Sequence, residues 1–156
     1  MNQISPLKRS TSEDPDFQRL VNFLDIYLRI KDGDEHSFYA QYNKIDAIKN
    51  VVVYFENAQA VGCGAFKAFD NDTVEIKRMF VDLNSRGKGI GAIILKELEV
   101  WASELNYKSS ILETGKKQFE AIRLYRRSGY SIIPNYGQYE NVENSVCMRK
   151  SISDII

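Results

Sequence analysis

Three glycines within five residues interrupt the chain between a strand pattern and a helix pattern. The segment reads Arg86-Gly87-Lys88-Gly89-Ile90-Gly91. Glycine adopts positive φ angles and lets a ligand approach the backbone closely, while the free N–H groups at the start of a helix attract anions. Arg86 and Lys88 add positive charge. The segment therefore predicts a phosphate-binding turn, because a plain turn needs neither so many glycines nor flanking cations.

The 156 residues are expected to form one domain, residues 1–156, of the α+β class. Three strands with short connections predict an antiparallel meander. The next strand follows only after a helix, so it should pair in parallel with the third strand through a right-handed crossover. Gly129 is expected to end the last helix. The predicted helices cover 14–31, 36–49, 90–105 and 119–128, and the predicted strands cover 51–55, 60–69, 73–82, 109–113, 130–134 and 145–150.

Composition narrows the class of protein. Hydrophobic residues at 44% and charged residues at 27% are typical of a globular chain. No apolar run approaches the ~18–20 residues that span a bilayer, and the first residues lack the apolar region of a secretory signal. We therefore expect a cytoplasmic protein without a membrane partner, with two free cysteines as buried thiols.

The charge distribution favours a small anionic ligand. The net charge is zero, but residues 77–127 hold 11 basic and 6 acidic side chains, an excess of five positive charges. A neutral total is unlike the basic surface of a dedicated nucleic-acid binder, so no nucleic-acid partner is expected. With His36 as the only histidine, a histidine-rich metal site is not expected either.

A dinucleotide site is one alternative for the glycine-rich turn. Gly87, Gly89 and Ala92 match the Gly-x-Gly-x-x-Gly/Ala pattern, and Glu113 lies 26 residues beyond Gly87, where a ribose-binding acid can occur. However, residues 83–86 separate the strand from the glycines, the preceding strands form a meander, and the chain is short for a Rossmann enzyme. A nicotinamide-dinucleotide protein is thus the weaker interpretation.

Two motifs in order resemble the GNAT superfamily of N-acetyltransferases. Segment 86–91 matches the Arg/Gln-x-x-Gly-x-Gly/Ala signature, and 121–130 resembles the Ala-x-x-Leu-Tyr-x-x-x-Gly-Phe/Tyr helix. The strands around 75–82 and 112–115 are also similar to the family's fourth and fifth strands, and the resemblance is strongest over 73–130. It implies a mostly antiparallel mixed sheet, one parallel strand pair, splayed central strands and flanking helices.

The resemblance also implies acetyl-CoA as co-substrate. Its pyrophosphate would bind segment 86–91, and its pantetheine arm would pair with the backbone of residues 79–81 in the splayed gap. Gln118 stands where the family often has asparagine and supplies the same amide groups. The residues assigned to the cofactor are Met79, Phe80, Val81, Arg86, Gly87, Lys88, Gly89, Ile90, Gly91, Gln118 and Tyr125.

Acetylation of a primary amine by direct attack needs a base for the amine and a proton donor for the departing thiol. The resemblance makes Glu75 the first candidate base, with Glu113 or ordered water as alternatives and an ion pair as the structural role of Glu75. Tyr125 is the candidate acid, or else a packed aromatic side chain. A CoA-binding module without turnover is the alternative function.

The acceptor is expected to be a small-molecule amine. His36, beside the acidic loop 32–35, and Tyr136 are candidate acceptor contacts, as is Glu113. Exposed loop side chains without a function are the alternative. Exposed isoleucines at 152, 155 and 156 are a candidate homodimer contact.

Overall fold

The computed structural model describes residues 5–32 and 48–155. Within them the chain forms seven strands and three helices. The predicted helix over 36–49 lies outside the described residues except for 48 and 49, which are not helical. The helices are α1 (Pro15–Asp32), α2 (Ile90–Glu104) and α3 (Phe119–Arg127). The strands are β1 (Leu7–Ser10), β2 (Asn50–Glu56), β3 (Gln59–Ala68), β4 (Thr73–Val81), β5 (Ser109–Gly115), β6 (Ser131–Ile133) and β7 (Ser145–Ser151).

One mixed sheet organises the molecule in the order β1-β2-β3-β4-β5-β7-β6. The predicted meander is confirmed, since β2, β3 and β4 pair antiparallel. The β4–β5 pair is parallel, as expected for strands joined through a helix. Gly129 follows α3 with φ of 100°, which confirms the predicted helix end.

Two apolar layers cover the sheet. Side chains alternate between the faces of a strand, so Val51 and Val53 of β2 pack in one cluster with α1, whereas Val52 packs in the other with α2. Helix α1 begins beside Asp14, whose Oδ1 accepts a hydrogen bond from the backbone N–H of Asp16 at 2.8 Å. Because the two clusters lie on opposite sides of the sheet, α1 and α2 pack on its opposite faces.

The strands β4 and β5 separate after a short contact. They pair only from Thr73↔Ser109 to Glu75↔Ile111, after which β5 continues on β7 while β4 stays on β3. A bulge in β4 shifts the register between Lys77 and Phe80 and leaves Arg78 at φ of 59°. The predicted splay of the central strands is therefore present, and one edge of β4 faces an open cleft.

Two features differ from the sequence predictions. Strand β1 pairs with β2 at the sheet edge although its Leu7-Lys8-Arg9-Ser10 sequence has no strand-like apolar alternation. Ile152 is fully buried in the core, so the predicted exposed dimer contact is wrong at this residue. In the described ranges, no helix is both long enough and apolar enough to cross a bilayer.

Candidate active site

The splayed strands open into a long cleft of about 780 Å³. Its β4 side is formed by Met79, Phe80 and Val81, whose backbone has no β5 partner because the β4–β5 pairing ends at Glu75. An extended chain bearing amide groups fits such an unpaired strand edge. The opposite walls come from the start of α2 and from α3, and Leu24 and Tyr27 of α1 contribute as well. This long cleft brings together most of the predicted cofactor residues.

One end of the long cleft contains the glycine-rich turn and the start of α2. Gly87 and Gly89 have φ of 82° and 80°, and no atom lies within 4 Å of a Cβ placed on either residue. Backbone conformation, not space, therefore requires glycine at both positions. The first backbone bond of α2 runs from Ile93 N–H to the Gly89 carbonyl at 3.1 Å, so the N–H groups of residues 90–92 lack a helical acceptor.

Basic side chains also line the long cleft. The cations that line the long cleft are Lys31, Arg86, Lys117, Arg123 and Arg127. Together with the free N–H groups and the helix dipole, they fit a pyrophosphate. Gly91 serves packing, because a Cβ there would lie 3.2 Å from Leu124 Cδ2 on α3.

Arg86 and Lys88 lie in different places. Arg86 points into the long cleft, where its Nε donates to the Val81 carbonyl at 2.8 Å and its guanidinium lies 4.9 Å from the Tyr27 ring centre. Lys88 instead pairs with Glu56 at 3.0 Å and is not among the described residues that line the cleft. The structure therefore brings Arg86, but not Lys88, to the predicted phosphate site.

A smaller cavity of about 110 Å³ adjoins the long cleft and contains the candidate bases. Glu75 is 4% exposed; its Oε2 accepts a hydrogen bond from Tyr136 Oη at 2.7 Å, and its Oε1 lies 3.5 Å from Lys77 Nζ. Burial lowers the pKa of Lys77, while the nearby Glu75 carboxylate opposes that shift. Burial and the same carboxylate raise the pKa of Tyr136. Glu75 therefore lines the small cavity, where a base could act, and also forms an ion pair, which is the structural role expected from the sequence.

Glu113 reaches the same cavity from β5. Its Oε2 accepts a hydrogen bond from Ser145 Oγ at 2.7 Å. The two candidate bases therefore lie on the neighbouring strands β4 and β5, close to the point where these strands separate. Tyr136, predicted as an acceptor contact, lies beside the first of these bases, since its hydroxyl donates a hydrogen bond to Glu75.

Tyr125 lines both the long cleft and the small cavity. It is 6% exposed, and its ring packs edge-on against Tyr130 at 6.0 Å between ring centres. Burial, assisted by the Glu113 charge, raises the Tyr125 pKa well above its usual value of 10. The hydroxyl therefore stays protonated near neutral pH and is suited to donate a hydrogen bond or proton. Gln118 also borders both spaces.

A sequence model of the Acetyltransferase (GNAT) family matches residues 15–130, which include α1, both glycine-rich and tyrosine-bearing motifs, and the splayed strands. The chain belongs to this family. An IAA acetyltransferase of Azospirillum brasilense is 37% identical to this GNAT protein over 94 residues, covering 59% of this chain and 61% of the relative. The chain spans about three fifths of the length of this relative and of an uncharacterised N-acetyltransferase of Schizosaccharomyces pombe, which is 34% identical over 100 residues.

Solved structures agree with the fold. A protein of Klebsiella pneumoniae subsp. pneumoniae, assigned as an acyl-CoA N-acyltransferase, is 28% identical with a TM-score of 0.80, covering 97% of this chain and 99% of that chain. A GNAT acetyltransferase of Elizabethkingia anophelis, solved with acetyl-CoA bound, has 18% identity and a TM-score of 0.69, covering 93% and 96%.

The cysteines of this GNAT protein are structural. Cys63 and Cys147 are free and fully buried, as predicted. Burial raises the pKa of the Cys63 thiol to about 12 and that of Cys147 to about 11. Both thiols are therefore protonated at neutral pH and poor nucleophiles. The described residues contain no His/Cys/Asp/Glu group suited to a metal ion.

Several residues that line the long cleft and the small cavity were not identified from the sequence. Arg78 and Lys77 line the small cavity, and Leu24 and Tyr27 reach the long cleft from α1. Two adjacent cations in the middle of the largely buried strand β4 were the available signal for the first pair. Helical periodicity assigned Leu24 to packing and carried no information about the cleft. The candidate His36 lies outside the described residues, as do Asp34 and Glu35.

Proposed function

We propose that this GNAT protein transfers the acetyl group of acetyl-CoA to a primary amine of a small molecule, with both substrates bound at once. The observation that carries this proposal is the position of Tyr125 on the boundary between the long cleft and the small cavity. A donor in the cleft and an acceptor in the cavity would meet at this side chain. Acetyl-CoA would supply an activated acetyl group and a thiol leaving group.

The long cleft suits the donor. The N–H groups of residues 90–92 and the surrounding cations would hold its pyrophosphate, and the free edge of β4 at residues 79–81 would pair with its amide groups. Arg86 contributes charge from its position on the Val81 carbonyl. Gln118 offers amide groups where the two spaces join.

Glu75 is proposed as the base. A lysine-like amine has a pKa of ~10.4, so its neutral form at pH 7 lies roughly 4.6 kcal/mol uphill. A buried carboxylate inside the cavity would take the proton, directly or through water, as the amine nitrogen bonds to the acetyl carbon. Tyr136 and Lys77 hold the two Glu75 oxygens and so fix the orientation of the carboxylate. Glu113, held by Ser145, is the alternative base across the gap.

Tyr125 is proposed as the proton donor. As the carbon–sulfur bond breaks, its Oη would donate to the departing thiolate, completing the transfer of one acetyl group and one proton. Direct attack is favoured over an acyl-cysteine route because both thiols are fully buried and protonated. At about 110 Å³ the cavity is small beside the long cleft of about 780 Å³, which favours a small amine over a bulky acceptor.

The proposal is tested by measuring thiol release and acetylated product by mass spectrometry, with acetyl-CoA and a panel of small amines. A reaction without amine controls for hydrolysis. We expect amine-dependent thiol release with matching acetylated product. In parallel, acetyl-CoA at about 100 times its Kd should stabilise the fold by about 2.7 kcal/mol. Stabilisation by acetyl-CoA without acetylation of any amine would instead favour a non-catalytic CoA-binding module.

A further inference from the structure

Arg78 is a buried cation with unsatisfied donors. Its side chain is 4% exposed, and its Nη2 donates to Asp25 Oδ1 of α1 at 3.0 Å. The Nε and Nη1 atoms are buried and have no hydrogen-bond acceptor in residues 5–32 and 48–155. These two nitrogens carry three of the five N–H groups of a guanidinium. Leaving buried charged donors unpaired costs free energy of folding, which indicates that these donors serve a function.

The backbone at Arg78 is strained as well. Its φ of 59° is in the left-handed region, which costs an arginine roughly 1–2 kcal/mol. The β4 bulge holds it there, and the Cys63 thiol contacts its carbonyl oxygen at 3.5 Å. Without the bulge, the side chains of residues 77 and 78 would lie on opposite faces of the strand. In the bulged strand, both residues line the small cavity.

The other charged groups of the small cavity already have partners. Glu75 is held by Tyr136 and Lys77, and Glu113 accepts from Ser145. Asp25, the partner of Arg78, has a side chain 42% exposed, so its charge is partly screened by solvent. Leu24 and Leu28 of α1 form an apolar part of the wall. Among the described residues of this cavity, unmet hydrogen-bonding capacity thus lies on a cation.

We propose that the acceptor is an amine that also carries a carboxylate, and that Arg78 binds this carboxylate while the amine points toward Glu75. This inference rests on the proposed function and specifies its substrate class. An acceptor carboxylate would satisfy Nε or Nη1 with charge-assisted hydrogen bonds. A cationic amine without an acid group would leave these donors unpaired and would bring a further positive charge toward Arg78.

The test compares amino acids with their methyl esters. α-Amino acids, β-alanine and 4-aminobutyrate are each assayed beside the ester, with kcat/KM from thiol release. Esterification removes the carboxylate that stabilises the ammonium form, so the ester holds more neutral amine at a given pH. A preference for the free acid therefore cannot come from amine reactivity. We expect the wild type to favour at least one acid over its ester by roughly 10- to 100-fold.

Arg78→Gln should remove this preference, lowering kcat/KM for the acid by a similar factor while changing that for the ester little. Arg126→Gln is the matched control, because Arg126 is exposed on α3 and borders neither the long cleft nor the small cavity among the described residues. If Arg78→Gln does not fold, the wild-type comparison of acids with esters still decides. Equal or better use of the esters throughout would overturn the inference while leaving acetyl transfer intact.

Binding without turnover separates the two proposals. Calorimetry of the amino acids in the presence of CoA, which carries no acetyl group, should show binding that weakens roughly 10- to 100-fold in Arg78→Gln and not in Arg126→Gln. This result without acetylation of any amine would refute the proposed function and keep the carboxylate site. Amino acids that bind no better than their esters would refute the site.

Discussion

Tyr125→Phe removes one hydroxyl from the meeting point of the long cleft and the small cavity and leaves the ring in place. The ring is 6% exposed and packs on Tyr130, and phenylalanine preserves both features. We therefore expect the free energy of unfolding to change by less than about 1 kcal/mol. Any large effect on turnover would then report on the hydroxyl.

The size of that effect follows from two pKa values. Burial holds the Tyr125 pKa above 10, whereas an ordinary thiol has a pKa of ~8.5, so complete proton transfer to the thiolate is uphill by at least about 2 kcal/mol. Burial of the departing sulfur would raise the pKa of its thiol, as burial raises that of Cys63, and would bring the two pKa values closer together. A charge-assisted hydrogen bond from Tyr125 to the sulfur nevertheless remains the main contribution. Such a bond is worth about 1.5–3 kcal/mol, which corresponds to a loss of roughly 10- to 150-fold in kcat.

Single-turnover acetyl transfer, with an amine identified in the panel, separates chemistry from product release. The loss should be the same from pH 6 to pH 9, because Tyr125 stays protonated throughout, and the Kd of acetyl-CoA should change by less than about threefold. Tyr130→Phe is the control: it removes a buried hydroxyl that bonds Ser110 Oγ at 2.7 Å, so it should cost about 1 kcal/mol of stability and leave kcat unchanged. A Tyr125→Phe rate within twofold of wild type, or an equal loss in Tyr130→Phe, would refute a role in proton donation.

Three further outcomes are expected. Glu75→Gln should lower kcat at least 100-fold and also reduce stability in urea unfolding, because buried Lys77 loses its ion pair. Glu13→Gln, at an exposed residue that borders neither the long cleft nor the small cavity, should do neither. A wild-type rate in Glu75→Gln would transfer the role of base to Glu113 or water. Gly89→Ala should raise the acetyl-CoA Kd and cost about 1–2 kcal/mol of stability, because residue 89 has a positive φ. Gly137→Ala, also at positive φ with open space around it, should show only the loss of stability, and an unchanged Kd in Gly89→Ala would count against the phosphate site. Burial raises the pKa of the tyrosines at 125, 130, 136 and 139. Their contribution to the free energy of unfolding is therefore fully present below about pH 10 and is lost as the pH rises toward their pKa values in the folded state, by up to about 1.4 kcal/mol per pH unit for each tyrosine. Free energies of urea unfolding that stay constant from pH 9 to pH 11 would contradict this.

Local sequence patterns were sufficient for most of the fold. Short apolar alternations separated by turn residues predicted β2, β3 and β4, because side chains on a strand alternate between faces and tight turns need particular residues. The helix between β4 and β5 predicted their parallel pairing, since a crossover permits little else. Edge strand β1 was missed because Lys8 and Arg9 are exposed charged residues and its pairing depends on β2, about 45 residues away in the chain.

The glycine-rich turn and the motif around Tyr125 were also readable in the sequence, since both depend on backbone conformation and spacing within one short segment. The sequence alone thus determined the family resemblance, the prediction of an anion-binding turn and the choice of the candidate acid. The tertiary structure decided which charges share a space. It turned Lys88 toward Glu56, joined Glu75 to Tyr136 across 61 positions, and placed the buried Arg78 in the lining of the small cavity at a bulge. Such pairings depend on register and strand divergence, which arise from packing between distant segments and leave no local pattern.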